Sequence, residues 1–173
     1  MRGLRTLGAL TALLCCMILA ACSSVDDDRI QNMPVNIALA DAGLWNTFGV
    51  SGFGSYRNFI YGDGKHEPKA FHYSQTSATG FGGVLLISGM DPFSGDTDIP
   101  LAYDLACPVE RDPSVRVRIE SETFNAECPA CGSVYDVTTA GGTPLSGPAA
   151  EMPCALRRYR CLPTAQGGYI ITN

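Results

Sequence analysis

The chain has 173 residues, a formal net charge of −5 and a sequence pI near 4.9. No basic stripe runs through it, which excludes nucleic acid as a natural partner. No stretch beyond residue 22 offers the ~20 consecutive apolar residues that a spanning helix needs.

The first residues are read as an export signal rather than as part of a fold. Arg2 and Arg5 give a positive start, and the run from Leu7 to Ala21 carries no charge. It ends Leu19-Ala20-Ala21-Cys22, which resembles the lipobox of bacterial lipoproteins. That resemblance implies cleavage before Cys22, lipid on its sulfur and a place in the cell envelope, on the periplasmic or the cell-surface side. Acyl chains hold such a chain to a membrane without a transmembrane helix. Residues 22–33 then read as a flexible tether, with the acidic run Asp26-Asp27-Asp28 close behind the lipid. That run is similar to surface-export signals of Bacteroidota lipoproteins, and it equally suits a solvated linker.

Removing residues 1–21 leaves 152 residues and takes the net charge to −7. This length favours one domain over 34–173, able to bury ~68–70% of its unfolded surface. Of the 8 cysteines, Cys15 and Cys16 leave with the signal and Cys22 takes the lipid. Cys107, Cys128, Cys131, Cys154 and Cys161 remain. An odd number cannot pair completely, and free thiols tend to oxidise outside the cytoplasm. At least one of the five therefore has another role, is protected by burial or holds a metal.

Taken in order, the elements are mostly strands. Val35 to Leu39 alternates like a half-buried strand, and short helical content is placed near Ala40 to Phe48. Phe59-Ile60-Tyr61 runs into the turn signal around Gly62 and Gly64. The segment from Gly62 to Gly80, with His66 and His72, reads as a long loop or hairpin. Gly80-Phe81-Gly82-Gly83 is a turn entering Val84 to Ile87, a continuous apolar run that fits a strand buried on both faces. Leu101 to Tyr103 leads into Cys107. Val115, Val117 and Ile119 alternate with Arg116, Arg118 and Glu120 as one strand, which a turn at Ser121-Glu122 returns through Phe124 to Cys128. Ser133 to Val137 follows, and Leu156 to Leu162 closes in a hairpin with Tyr169 to Thr172. Short strands at regular spacing with Gly and Pro punctuation predict an all-β fold, an antiparallel sandwich or barrel.

The chemistry-bearing pieces are Cys107-Pro108-Val109-Glu110 and Cys128-Pro129-Ala130-Cys131-Gly132-Ser133. A Cys-x-x-Cys turn directs two sulfurs inward. It can hold one metal ion, form a redox-active disulfide or be a buried structural pair. No nucleophile motif, phosphate loop or acid–base pair rises above chance, so the sequence makes little case for an enzyme beyond an electron-transfer component.

The stretch from Asp104 to Asn173 resembles a Rieske iron–sulfur domain. The pieces run in the family's order: Tyr103-Asp104-Leu105-Ala106-Cys107-Pro108, then Cys128 to Asp136 with Gly132-Ser133-Val134-Tyr135-Asp136, then Gly147-Pro148-Ala149, then Leu156-Arg157-Arg158-Tyr159. The longer chain is similar to Rieske-related lipoproteins of Bacteroidota. The resemblance implies a small two-loop cysteine subdomain, a loop at Gly147 to Ala149 covering it, and electron transfer to a protein partner. A Rieske [2Fe–2S] cluster takes two cysteines on one iron and two histidines on the other. Cys107 and Cys128 keep the cysteine positions, whereas Val109 and Cys131 stand where the histidines would be. Cys107, Cys128 and Cys131 are therefore the candidate metal ligands, with Cys154 as the candidate fourth sulfur. Four sulfurs would suit zinc or an all-cysteine [2Fe–2S] centre. A disulfide between Cys107 and Cys128, with no metal, is the alternative. Ser133 and Tyr135 match the serine and tyrosine that donate hydrogen bonds to sulfur in high-potential Rieske proteins, where such donors tune the centre.

Overall fold

The computed structural model describes residues 25–62, 64–91, 94–139 and 141–173. The segment read as an export signal, with Cys22, lies outside the described residues. Among the described residues the structure is mostly β, with 43% in strands and 8% in helix, which places it in the all-β class.

Among the described residues, twelve strands and two short helices follow in order. They are β1 (Val35–Asp41), α1 (Ala42–Phe48), β2 (Tyr56–Gly62), β3 (Lys65–Glu67), β4 (Ala78–Thr79), β5 (Val84–Met90) and β6 (Thr97–Asp104). Then come β7 (Arg118–Ile119), β8 (Ala126–Glu127), β9 (Val134–Asp136), β10 (Thr143–Ser146), α2 (Pro148–Glu151), β11 (Arg158–Pro163) and β12 (Gly167–Thr172). Eight strands form one antiparallel sheet in the order β3-β2-β5-β6-β11-β12-β1-β4, and it curls into a half-barrel. The other four form a small sheet in the order β10-β9-β8-β7.

The large sheet is a wall between two cores. Successive side chains on a strand point to opposite faces, and β5 uses both. Val84, Leu85, Leu86 and Ile87 are all fully buried. Leu85 and Ile87 join Tyr103, Leu105, Tyr135, Val137 and Leu156 in the core shared with the small sheet. Val84 and Leu86 join Ile37, Leu39, Phe59, Phe71 and Ile171 on the inside of the curl. A strand buried on both faces reads as an uninterrupted apolar run, as it does in the sequence. Phe71 joins this core through its ring, 5.2 Å from Phe48 and 5.3 Å from Phe59.

Helix α1 starts because the Asp41 carboxylate accepts from Leu44 N at 2.9 Å, satisfying one of the helix's orphan donors. Trp45 then lies against Tyr169 of β12, ring centroids 4.5 Å apart. The predicted closing hairpin is β11–β12, with Arg160 opposite Thr172 and Leu162 opposite Ile170.

Two stretches differ from the sequence reading. The run 115–119 is not one regular strand, since only Arg118–Ile119 is assigned as such. Upstream, Val117 N donates to Leu105 O at 2.8 Å and Cys107 N donates to Val115 O at 3.1 Å. The segment thus pairs first with the chain entering Cys107 and then with β8, and the change of partner breaks the ladder. Within the stretch read as a tether, Ile30 is buried, 3% exposed. Asp26 N donates to Pro153 O, Ala155 N donates to Asp26 O, both at 2.8 Å, and Arg157 pairs with Asp28 at 2.7 Å. Among the described residues, no helix is long and apolar enough to cross a membrane.

Candidate metal centre

Asp104, at the end of β6, anchors the chain that enters the first cysteine loop. Its carboxylate is fully buried and accepts four hydrogen bonds. The donors are Phe81 N at 2.8 Å, Gly82 N at 2.9 Å, Ala106 N at 2.7 Å and the Tyr159 hydroxyl at 2.6 Å. Burial pushes this carboxyl above the usual range, and the four donors pull it back. A Cβ on Gly82 would sit 2.5 Å from Ala106 N, so glycine is required where the turn meets this chain.

Beyond that anchor the two loops face each other. Arg111 N donates to Cys107 O at 2.9 Å and closes the first. In the second, Gly132 N donates to Cys128 O and Cys128 N donates to Ser133 O, both at 2.9 Å. Gly132 carries φ +70°, the left-handed conformation that lets the turn close tightly. The result is that the sulfurs of Cys107, Cys128 and Cys131 all lie within 4.8 Å of one another. Cys107 and Cys128 are fully buried, and Cys131 is half-buried. The Cys107 and Cys131 sulfurs are 3.7 Å apart.

Ser133 and Tyr135 both touch this trio. The Tyr135 hydroxyl lies 3.4 Å from Cys107 Sγ, and the Cys131 thiol donates to Ser133 Oγ at 3.1 Å. Ser133 Oγ also accepts from Ala149 N at 3.0 Å, which ties the Gly147-Pro148-Ala149 loop to the second cysteine loop. A Cβ on Gly147 would stand 2.9 Å from Ser133 Cα, so the two loops touch through backbone. Pro148 begins α2, where its missing N–H is not needed.

Burial pushes the Cys128 thiol up to about 12 and raises the Tyr135 hydroxyl well above its ordinary range. Deprotonating such a thiol in place takes a positive charge at the sulfur, which a metal ion supplies. Cys154 shares the same core but is not part of the trio. Its thiol donates to Ala149 O at 3.8 Å, and burial raises its pKa. Cys161 packs against the inside of the curl, on the other side of the sheet. All five described cysteines are free thiols.

Neither histidine approaches the sulfurs. His66 Nε2 lies 2.7 Å from Phe71 O, and its ring is edge-on to Tyr61 and Tyr73. His72 is exposed. Val109 packs against the core and Glu110 is exposed. Sequence reasoning did not single out Asp104 or Tyr159 as supports of the site. A lone Asp before Leu-Ala-Cys carries no signal of its four donors, three of which come from backbone.

The donor set fits one four-coordinate ion. A tetrahedral ion with metal–sulfur bonds of ~2.3 Å sets its sulfurs about 3.8 Å apart, close to the separation of Cys107 and Cys131. It leaves one position for water or another ligand. A cluster held by two cysteines and two histidines does not fit these residues, because valine cannot bind iron and both histidines lie elsewhere. Neither a known protein family nor a curated protein matches the chain.

Proposed function

We propose that this chain is a membrane-tethered, Rieske-like lipoprotein whose two cysteine loops hold a thiolate-bound metal ion on Cys107, Cys128 and Cys131. The observation that carries this reading is the convergence of three sulfurs within 4.8 Å on loops from different parts of the chain. The tether rests on Leu19-Ala20-Ala21-Cys22, and the Rieske likeness rests on the order of the four motifs. Zinc on these thiolates would cross-link the loops and stabilise the fold, and iron would make an electron-transfer site. In either case Ser133 and Tyr135 orient and polarise the sulfurs through their hydroxyls.

A second reading is a metal-free Rieske-like structural or binding module with a disulfide at the loops. The 3.7 Å separation of Cys107 and Cys131 favours it. Closing it would give two protons and two electrons to an oxidant of the envelope, and a small shift would bring the sulfurs to bonding distance.

The test is elemental analysis of the full-length chain purified without oxygen, for iron, zinc and acid-labile sulfide, together with Cys107→Ser, Cys128→Ser and Cys131→Ser. One equivalent of metal, lost in each variant, supports the metal site. Iron with sulfide would make it a cluster of unusual ligation. Folded, metal-free protein with two thiols missing from a thiol titration would replace the metal site by the disulfide. Metal-free protein with every thiol free would overturn both readings.

A further inference from the structure

A cleft of about 800 Å³ opens beside the second cysteine loop, between the β2–β3 hairpin, residues 114–118 and the pair Pro129-Ala130. Its floor is apolar, formed by the buried Ile60, Leu105 and Val117. Its walls carry Lys65, Lys69, Arg116 and Arg118. These include both lysines of an acidic chain, and they are four of the ten basic residues that follow residue 21.

Among the described residues, the charges lining this cleft are unbalanced, and Glu67 is the one carboxylate. Asp112 lies near Arg116, and Glu127 stands across the ladder from Arg118. Among the described residues, none of these three carboxylates forms an ion pair with the four cations. Arg116 is held by its Nε, which donates to Gly82 O, and its two terminal nitrogens have no partner among the described residues. Gathering like charges without counter-charges costs free energy that a bound anion would offset.

We propose that this cleft binds a small organic anion, a carboxylate or a phosphate ester. The anionic group meets Lys65, Lys69, Arg116 and Arg118. The carbon skeleton covers Ile60, Leu105 and Val117. The volume lies in the range of small-molecule sites. This inference does not depend on whether the cysteine loops carry metal.

The test is isothermal titration of the full-length chain with glucose 6-phosphate, with glucuronate and with neutral glucose. At least one of the two anions is expected to bind with saturation, and added salt should weaken it. The tighter of the two identifies phosphate or carboxylate as the preferred group. Lys65→Gln combined with Arg118→Gln alters two exposed side chains and should weaken that binding at least ~10-fold. Arg160→Gln, an exposed side chain of β11 that does not line the cleft, should leave it unchanged. The proposal is overturned if both anions bind no better than glucose, or if the double variant, melting like the parent, binds like the parent.

Discussion

Replacing Tyr159 by Phe removes one oxygen from the fully buried Asp104 cluster and changes nothing else in shape. The hydroxyl donates to Asp104 Oδ2 at 2.6 Å, and Tyr159 itself is 6% exposed, so water cannot readily take its place. A hydrogen bond to a charged group contributes about 1.5–3 kcal/mol. Phe81 N still donates to Oδ2 at 2.8 Å, and Gly82 N and Ala106 N to Oδ1, so the carboxylate keeps three partners. The expected loss is therefore of that size rather than the larger penalty of an orphaned charge. For a domain of this length, where 1 kcal/mol shifts the melting point by ~2–4 °C, it corresponds to roughly 3–12 °C. Urea denaturation of parent, Tyr159→Phe, Asp104→Asn and the double variant would measure it and would give the pair's coupling energy. A single-variant loss below about 0.5 kcal/mol, or a coupling near zero, would refute the view that this bond secures the chain entering the first cysteine loop.

Gly168→Ala should prevent stable folding, because a Cβ there would stand 2.0 Å from Leu39 O and force β1 away from β12; circular dichroism and a melting curve would show it. Ser133→Ala should cost about 1–3 kcal/mol by leaving Ala149 N unpaired, and it should speed alkylation of Cys131 by freeing the loop above it, read by thiol labelling. Asp98 accepts from the Ser88 hydroxyl at 2.6 Å and from Gly52 N at 2.7 Å, and these bonds, the serine's first, hold its carboxyl below the usual range. Its stabilisation is present above the unfolded value of ~3.9 and is lost as pH falls through the folded value. Asp98→Asn, which still tolerates φ +72° at this position, should be less stable than the parent at neutral pH and should converge with it in strong acid. Equal stability at neutral pH would refute that assignment.

The strands that proved easiest to read are those whose periodicity reports burial. Val84 to Ile87 lies between two cores, and its unbroken apolar run says so. Cys107, Cys128, Cys131, Ser133 and Tyr135 were grouped as one site by their resemblance to the order of Rieske motifs, and the three sulfurs do lie together. Val115 to Val117 alternates like a strand but splits its pairing between two neighbours, which alternation cannot reveal. Asp26 to Ile30 reads as solvated because its acidic residues dominate, while its attachment depends on one apolar side chain, Ile30, and on backbone bonds to Pro153 and Ala155. The basic cleft was invisible for another reason. Its walls come from separate segments, and Arg116 and Arg118 looked like the ordinary solvent face of a strand.

The Asp26–Cys154 bridge sets how long a leash the domain would have. On the lipoprotein reading, only Ser23, Ser24 and Val25 separate the acylated Cys22 from Asp26. Even fully extended, those four steps reach no more than about 14 Å. Asp26 is fastened to Pro153 and Ala155, on either side of Cys154 in the core that holds Cys107 and Cys128. The domain would then stand with its cysteine end down, close to the lipid headgroups, rather than roam on a long string. A partner exchanging metal or electrons there would itself have to lie in the membrane or on its surface.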